Sequence, residues 1–244
     1  MSAADVVFVG DVHLDAGDPD VAPFARSMRA LGGEVEAIVL LGDLFNLWIG
    51  RPELEGAHHR EVLDALADVR AAGTAVHYVE GNRDYRIADV HLGRDFDRVT
   101  SAGLDVACGP VRIHAVHGDL ANVRDRQYRS WRALSRSAPF WWLFRCVPRG
   151  RRRALTESLE RRMRRTNLRH KAAFPEDDVR RYAARLLAGG SDVVVLGHFH
   201  ERHELEARPS SPPGRIVVLP LWKDGRSHLR ARPDGSLRFE TSSA

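Results

Sequence analysis

The sequence predicts an α/β fold in which two packed β-sheets are flanked by helices. Two observations point to it. Short apolar runs alternate with helical segments through most of the chain, and short strands separated by Pro and Gly turns follow His200. Such alternation is typical of strands covered by helices on both faces. The chain has 244 residues, 43% of them hydrophobic, so we expect a single domain over residues 1–244.

Four apolar runs and one alternating segment, Val111–Val116, are the candidate strands before His200, and three segments are candidate helices. The strands are Val6–Val9, Ile38–Leu41, Val76–Val79, Val111–Val116 and Val193–Leu196, and the helices are Val21–Leu31, His59–Ala72 and Asp177–Leu187. Four short strands are predicted after His200: Arg202–Ala207, Arg215–Leu219, Ser227–Arg232 and Leu237–Glu240. We expect these later strands to form a second sheet that packs on the first.

Hard metal ligands follow each of these five candidate strands. The segments are Asp11-Val12-His13, Gly42-Asp43, Gly81-Asn82-Arg83-Asp84, His117-Gly118-Asp119 and Gly197-His198-Phe199-His200. Residues just beyond the carboxyl ends of strands gather in one crevice of an α/β sheet, so ligands far apart in sequence can meet there. Carboxylate, amide oxygen and imidazole suit manganese, iron or zinc. One such residue alone is usually a cap or a turn former, but the ordered set predicts a two-metal phosphoesterase site.

The order of these segments resembles that of the calcineurin-like metallophosphoesterases over roughly residues 5–230. The resemblance implies a sandwich of two mixed β-sheets with two bound Mn²⁺ ions, or Fe²⁺ or Zn²⁺ in their place. It implies that Asp11, His13 and His200 hold the first metal, that Asn82, His117 and His198 hold the second, and that Asp43 bridges them. A metal pair about 3.5–4 Å apart can activate water and bind phosphoryl oxygens. We expect Asp119 to orient a metal ligand by contacting that ligand rather than the metal.

Arg83 stands where many metallophosphoesterases have a histidine that can protonate a leaving alkoxide. Arginine cannot donate that proton at neutral pH, but its planar fork suits a phosphoryl group with a good leaving group, as in a pyrophosphate. The alternative is a surface ion pair between Arg83 and Asp84. In the functional interpretation the catalytic residues are Asp43, Asn82, Arg83, His117 and His198.

Two segments, Gly81–Tyr85 and Gly42–Gly50, resemble the UDP-2,3-diacylglucosamine hydrolases of lipid A synthesis. This resemblance implies attack on the α-phosphorus, which releases UMP and 2,3-diacylglucosamine 1-phosphate. The substrate-binding residues that it implies are Asn82, Arg83, Asp125, Tyr128, Arg164, Asn167, Lys171 and His198. Two segments depart from the subfamily: Phe199 replaces a common threonine, and Leu219–Lys223 replaces a Gly-Ala-Trp turn. We expect Lys223 to close a turn.

Residues 122–175 are predicted to form a helical cap inserted into the domain. Within it, Pro139–Phe144 is the most apolar aromatic stretch of the chain, and residues 145–171 carry a net charge of +9, which leaves −5 for the remainder. This pattern predicts peripheral binding to an anionic membrane leaflet. The resemblance to the enzymes of lipid A synthesis implies that this is the cytoplasmic leaflet of the inner membrane. Two alternatives stay open: the aromatic run is the core of the cap, and the basic helix is an ordinary solvated face.

Composition limits the other possible functions. The two cysteines, Cys108 and Cys146, lack the spacing of a zinc motif and are too few for a disulfide framework, so we expect a reducing, cytoplasmic compartment. No apolar stretch approaches the ~20 residues that span a bilayer. Nucleic-acid binding is less favoured, because the tryptophans of the basic region are adjacent rather than spaced as base-stacking platforms. Two further alternatives are a nucleotide or phospholipid phosphodiesterase and a scaffold that has lost catalysis.

Overall fold

The computed structural model describes residues 4–123, 125–167, 174–207 and 213–242, with the backbone alone at 162–167. The strands are β1 (Val6–Val9), β2 (Ala37–Leu40), β3 (Trp48–Ile49), β4 (Ala75–Val79), β5 (Asp84–Tyr85), β6 (Arg98–Thr100), β7 (Leu104–Cys108), β8 (Val111–Val116), β9 (Val193–Leu196), β10 (His203–Glu206), β11 (Arg215–Val218), β12 (Ser227–Ala231) and β13 (Leu237–Thr241). The helices are α1 (Val21–Leu31), α2 (Ala57–Ala71), α3 (Ala88–His91), α4 (Arg126–Ser135), α5 (Ala138–Cys146), α6 (Arg149–Asn167) and α7 (Glu176–Ala188), and a 3-10 turn covers Pro52–Leu54.

Two mixed sheets form the centre of the protein. The first has the order β13-β12-β1-β2-β4-β6, in which β1, β2, β4 and β6 run parallel and β12 and β13 add antiparallel strands. The second has the order β10-β11-β9-β8-β7, with a parallel centre of β11, β9 and β8. Strands β3 and β5 form a separate parallel ladder. The predicted α/β class with two mixed sheets is confirmed.

Successive side chains of a strand belong to different apolar clusters, and this divides the core into layers. On β1, Val6 and Phe8 join the cluster of apolar residues shared by the two sheets, whereas Val7 and Val9 join the cluster that includes side chains of α1 and α2. Strand β9 is divided in the same way, with its other face packed against α7. Successive side chains of a strand point to opposite faces, so uninterrupted apolar runs are what strands buried on both faces require. The result is a sandwich of helix, sheet, sheet and helix layers.

The predicted grouping of the last four strands is wrong. Strands β10 and β11 extend the second sheet, but β12 and β13 return to the first sheet beside β1, and the second sheet is built around β8 and β9. Two edge strands, β6 and β7, were not predicted. Their exposed and half-buried positions give them no uninterrupted apolar run. Strand pairing is set by contacts distant in sequence, which local patterns do not contain.

Helices α4, α5 and α6 lie in the segment 122–175 predicted as an inserted cap, and that assignment stays a prediction. Helix α5 has two different faces. Trp141 and Phe144 are buried in a small cluster with side chains of the β3–β5 ladder, whereas Trp142 and Leu143 are 66% and 63% exposed. The aromatic run therefore contributes both to a core and to an exposed apolar surface. Within the described ranges, no helix combines the length and the apolar character needed to cross a membrane.

Candidate active site

The loops after β1, β2, β4, β8 and β9 bring the predicted metal ligands together. A first cluster contains Asp11, His13 and His200. The Nε2 atom of His200 lies 2.9 Å from Oδ2 of Asp11 and 3.0 Å from Nε2 of His13. The remaining pair, His13 Nε2 and Asp11 Oδ2, is 3.8 Å apart. One carboxylate and two imidazoles thus converge with their metal-binding atoms facing each other.

A second cluster contains Asn82, His117 and His198. The Oδ1 atom of Asn82 lies 2.9 Å from Nε2 of His117 and 2.9 Å from Nδ1 of His198. The other ring nitrogen of His117, Nδ1, lies 2.6 Å from the backbone carbonyl of Leu41. A hydrogen bond from Nδ1–H to that carbonyl leaves Nε2 as the free metal-binding nitrogen of the ring.

Asp43 lies between the two clusters. Its Oδ2 atom is 3.9 Å from Nε2 of His13 in the first cluster, and its Oδ1 atom is 3.8 Å from Nε2 of His117 in the second. The two oxygens of one carboxylate therefore face different clusters. This is the arrangement that a bridging ligand of two cations requires.

Four of these residues have a left-handed backbone. The φ angles are +55° at His13, +50° at Asp43, +72° at His198 and +61° at His200. Such angles are uncommon for residues with a side chain and cost roughly 1–3 kcal/mol each unless the surroundings enforce them. In the described part of the chain only two other non-glycine residues have a positive φ, so the strain is concentrated at the candidate metal site.

Glycines make room for this concentration of polar groups. A Cβ atom on Gly81 would lie 2.3 Å from Oδ1 of Asp43 and 2.8 Å from Cε1 of His117. A Cβ atom on Gly42 would lie 2.4 Å from the backbone nitrogen of Gly81, and Gly42 also has a φ of +83°. Gly81 needs glycine because a side chain would fill the space between two ligand groups, and Gly42 needs it because the backbone of Gly81 approaches closely at a left-handed φ.

The electrostatics of the site favour bound positive charge. Burial alone would raise the pKa of the Asp11 carboxyl, but the His117 and His200 imidazoles outweigh burial and hold it well below its usual range. Burial would lower the pKa of His117, yet Asp43 and Asp11 raise it to about 9. The pKa of His198 falls to about 4 through burial and the nearby charge of His117. A divalent cation would replace the proton that Asp11 and Asp43 attract to His117, so these residues fit a metal centre.

Arg83 is buried beside Asp43. Its Nε atom lies 3.4 Å from Oδ2 of Asp43, its backbone N–H donates to Oδ1 of Asp43 over 2.9 Å, and its Nη1 donates to the carbonyl of Asn46 over 3.2 Å. A surface ion pair between Arg83 and Asp84 is therefore wrong. Asp84 is fully buried, because the loop after β4 folds inward and turns that carboxylate toward backbone amides. Oδ2 of Asp84 accepts hydrogen bonds from Asp43 N, Gly81 N and Tyr78 Oη.

One face of α4 docks on the loops that carry the site. The hydroxyl of Tyr128 donates to the Asp119 carboxylate, and Nε of Arg132 donates to the same carboxylate over 2.6 Å. One turn later, Nη1 of Arg136 donates to Oε2 of Glu80 over 2.6 Å, and its Nη2 donates to the carbonyl of Gly81 over 2.8 Å. Arg136 directly follows the last residue of α4 and lies four positions after Arg132, so the C-terminal end of α4 contacts both the loop after β4 and the loop after β8. Through these contacts Asp119 is joined to α4. That Asp119 orients a metal ligand stays a prediction.

A cavity of about 300 Å³ opens over the two clusters. Its lining includes predicted residues of both kinds, metal ligands and head-group contacts, together with residues that were not predicted: His13, Asp43, Asn82, Arg83, Asp119, Asn122, Asp125, Tyr128, Phe174, Pro175, His198, Phe199, His200 and Glu201. The ring of Phe174 stacks on His203 at 3.7 Å and meets Phe199 edge to face at 5.3 Å. An aromatic edge thus borders the cavity where the sequence departs from the subfamily.

The side chains of three predicted substrate contacts are outside the described part of the structure. Asn167 and Arg164 belong to the last turn and a half of α6, where only the backbone is described, and Lys171 lies outside the described residues. The sequence interpretation missed the contact between Arg136 and Glu80, and it named Asp84 without its role as an acceptor for backbone amides. Asp84 ends the same motif as Asn82, so its place near the site was visible in the sequence. Arg136 had no local signal because arginines are frequent throughout the region, and Glu80 had none because a single acidic residue after a strand is common.

Comparison with known proteins agrees with this geometry. The sequence pattern of the Calcineurin-like phosphoesterase family matches residues 4–202. The chain is 32% identical over 225 residues to the UDP-2,3-diacylglucosamine hydrolase of Azotobacter vinelandii, an alignment that covers 88% of this chain and 90% of the relative. It is 28% identical over 242 residues to the UDP-2,3-diacylglucosamine hydrolase of Aeromonas salmonicida, covering 96% and 92% of the two chains.

Similar folds occur among solved structures. The protein TT1561 of Thermus thermophilus has a TM-score of 0.51 at 14% identity, with 99% of this chain and 100% of that one covered. Vacuolar protein sorting 29 from Cryptosporidium parvum has a TM-score of 0.51 at 13% identity, with 98% and 97% covered. At these identities the likeness shows a common fold alone. The match over residues 4–202, together with relatives at 32% identity over most of their length, shows that the chain belongs to the calcineurin-like phosphoesterase family.

Proposed function

We propose that this protein hydrolyses the pyrophosphate bond of UDP-2,3-diacylglucosamine. Water attacks the α-phosphorus, the bond from that phosphorus to the bridging oxygen breaks, and the products are UMP and 2,3-diacylglucosamine 1-phosphate. The observation that carries the proposal is Asp43, whose two oxygens face two separate ligand clusters beside the buried Arg83. The names of relatives at up to 32% identity support the choice of substrate.

Two Mn²⁺ ions are the proposed cofactors, and when bound they would supply an activated water and neutralise phosphoryl charge. Seven residues would hold them: Asp11, His13 and His200 on one side, Asn82, His117 and His198 on the other, and Asp43 between them. Oxygen and imidazole donors also suit Fe²⁺ and Zn²⁺, so loading the protein with each metal in turn tests the choice of manganese.

Arg83 is proposed to stabilise charge that develops on the phosphoryl oxygens. Its guanidinium is already fixed by Asp43 and by the carbonyl of Asn46, so little reorganisation accompanies the reaction. Asn82 and His198 line the same cavity and complete the polar surroundings of the phosphoryl group. The leaving group is a phosphate monoester, which needs little protonation, and this explains why arginine can stand where a general acid would otherwise be needed.

The head group of the substrate is proposed to contact Asp125 and Tyr128, which line the cavity over the metal ligands. Arg164, Asn167 and Lys171 are proposed to reach the sugar and its phosphate from the end of α6. A second cavity of about 770 Å³ lies under α6. Its wall on the body of the protein is mixed: Leu47, Trp48, Ile49 and Leu54 are apolar, whereas Asp15, His58 and His59 are polar. We assign the acyl chains to the apolar part of this cavity, because it adjoins the cap.

Peripheral binding to the cytoplasmic face of the inner membrane is part of the proposal. Trp142 and Leu143 project from α5, and the neighbouring α6 carries a high density of arginines. Exposed apolar side chains beside basic ones can enter a lipid interface while the arginines attract anionic head groups. A lipid substrate would then reach the cap without crossing water.

The activity is tested by incubating the Mn²⁺-loaded protein with UDP-2,3-diacylglucosamine and measuring UMP release. UDP-N-acetylglucosamine is compared by the same readout, bis(p-nitrophenyl) phosphate is followed by release of p-nitrophenolate, and Asp43→Ala is the blank. We expect rapid release from the acylated substrate alone. Hydrolysis of the generic diester alone would contradict the proposed substrate and indicate another phosphodiesterase. No hydrolysis of any substrate by metal-loaded protein would indicate a scaffold.

Membrane binding is tested by flotation with vesicles that contain anionic or only zwitterionic lipid. The double variant Trp142→Ser, Leu143→Ser is expected to lose most of its binding to anionic vesicles. Leu92→Ser is the matched control, since Leu92 is 52% exposed but lies at the end of α3 on the body of the protein. Equal binding of all three proteins would contradict the membrane proposal.

A further inference from the structure

Leu221 and the first two residues of the turn at 222–226 donate hydrogen bonds to the backbone of the first metal-ligand cluster. The contacts are Leu221 N to His200 O at 3.3 Å, Trp222 N to Asp11 O at 2.8 Å, and Lys223 Nζ to His13 O at 2.9 Å. Each of the three ligands is thus contacted at its carbonyl by a different residue of this segment. Two of the donors are backbone amides, and the third is the side chain of Lys223.

Lys223 contacts the ligand whose backbone most needs support. His13 has a φ of +55°, which a residue with a side chain adopts only when its surroundings hold it there. A hydrogen bond from an ammonium group to its carbonyl is charge-assisted and so is stronger than a neutral one. It fixes the direction of the peptide group that follows His13, and therefore the direction of the His13 ring toward Asp11 and His200.

Asp18 holds Lys223 in place. The carboxylate of Asp18 forms an ion pair with Nζ of Lys223, and the side chains are only 12% and 23% exposed. Asp18 also accepts a hydrogen bond from the backbone N–H of Asp20 over 2.9 Å, which anchors the carboxylate in its own loop. Lys223 is therefore held by the loop of Asp18 and donates its hydrogen bond to the loop of His13. We predicted from the sequence that Lys223 closes a turn, and the residue does lie in the turn at 222–226.

We propose that Lys223 is a positioning residue for the first metal of the centre and that Asp18 orients it. The inference rests on the proposed metal centre. It goes beyond that proposal because neither residue is a ligand and neither lines the cavity over the clusters. Loss of the Lys223 amine should weaken the first metal site, which contains His13, and leave the second, which contains Asn82, unchanged.

The chain offers a matched control. Arg226 forms an ion pair with Asp20 at 2.9 Å, so it joins the same two segments a few residues away. Its side chain contacts no carbonyl of a metal ligand. Arg226→Met therefore removes a comparable link between the segments without touching the backbone of the cluster.

The experiment measures the Mn²⁺ stoichiometry and the affinity of each site, by chelator competition and by the spectrum of a coupled manganese pair, in wild type and variants. We expect Lys223→Met to weaken one of the two sites by about 10- to 100-fold, the range typical of residues that orient ligands. Lys223→Arg should restore binding to within about threefold because it keeps a charged donor. Asp18→Asn should give a smaller loss, and Arg226→Met should bind both metals as wild type does.

A second pair of variants assigns the affected site. In a His200→Ala background, which lacks a ligand of the first cluster, adding Lys223→Met should leave the affinity of the remaining metal unchanged. A further loss in that background, or two wild-type affinities in Lys223→Met itself, would overturn the inference while leaving the metal centre intact. Failure of the wild-type protein to bind a metal pair would overturn the metal centre and this inference with it. If Lys223→Met does not fold, Asp18→Asn decides by the same readout.

Discussion

The Oδ2 atom of Asp84 accepts a hydrogen bond of 2.8 Å from the backbone N–H of Asp43. The same oxygen accepts from Gly81 N at 2.7 Å and from the Tyr78 hydroxyl at 2.8 Å. One buried carboxylate thus fixes both the proposed bridging ligand and the loop that carries Asn82. Its own burial and the nearby charge of Asp43 raise the pKa of Asp84 to about 7. Keeping the Asp84 carboxylate charged in this buried place costs free energy, and such costs are expected at functional sites.

We predict that Asp84→Ala lowers the free energy of unfolding by about 3 kcal/mol and abolishes hydrolysis. The variant leaves three buried donors without their acceptor, at roughly 1–3 kcal/mol each, although loss of the buried carboxylate recovers part of that cost. Urea unfolding of the metal-free proteins measures the effect. Asp89→Ala is the control, because Asp89 forms a more exposed ion pair with Arg86 and should change stability by less than about 0.5 kcal/mol. Equal stability of the two variants would contradict the anchoring role.

Arg83→Lys tests whether the guanidinium fork acts on the phosphoryl group. We predict a fall in kcat of about 100-fold at full metal occupancy, since a lysine ammonium keeps the charge but cannot form the paired contacts of arginine. Steady-state kinetics with metal analysis of the same samples separates a catalytic loss from a metal loss. The neighbouring Arg86→Lys should retain wild-type kcat. A kcat of Arg83→Lys within about threefold of wild type would argue against the proposed role.

The seven proposed metal ligands were assigned from the resemblance to the calcineurin-like metallophosphoesterases, and the residue types and their places agree with that assignment. Asp11, for example, is an oxygen donor that follows a strand, and both features can be read in a single sequence. Arg136 is different. Its long side chain can reach Glu80 only once α4 has docked, and nothing local distinguishes Arg136 from the other arginines of this region. The return of β12 to the first sheet was missed for the same reason, since strand pairing depends on distant contacts.

Arg136 and Glu80 form the next test, because their contact joins α4 to the loop of Asn82. Their side chains are 18% and 9% exposed, so the ion pair is largely shielded from solvent. In a double-mutant cycle of Arg136→Gln and Glu80→Gln, we predict a coupling energy of about 2 kcal/mol in unfolding free energy. The exposed pair of Arg29 and Asp68 is the control and should give less than about 0.5 kcal/mol. Equal coupling in the two cycles would show that α4 docks without this contact.

His91 provides the pH-dependent test of the fold. Its ring is buried between Asp95, 2.6 Å from Nδ1, and Glu55, 2.8 Å from Nε2. Burial alone would lower the pKa of His91, but hydrogen bonds to these two carboxylates outweigh burial and raise the pKa above 6.5. A raised pKa in the folded state means that the protonated ring stabilises the fold. That contribution is fully present below the unfolded pKa and is lost as pH rises through the folded pKa.

We therefore predict that the stability difference between wild type and His91→Gln is largest near about pH 6 and shrinks toward about pH 9. Urea unfolding of the metal-free proteins at several pH values measures it, with chelator present so that the metal centre does not contribute. Glu55→Gln, which removes one of the two partners of His91, should show a weaker pH dependence than wild type. A difference between wild type and His91→Gln that stays constant over this range would mean that folding does not raise the pKa of His91, and would contradict a stabilising ionic contact of the ring with Glu55 and Asp95.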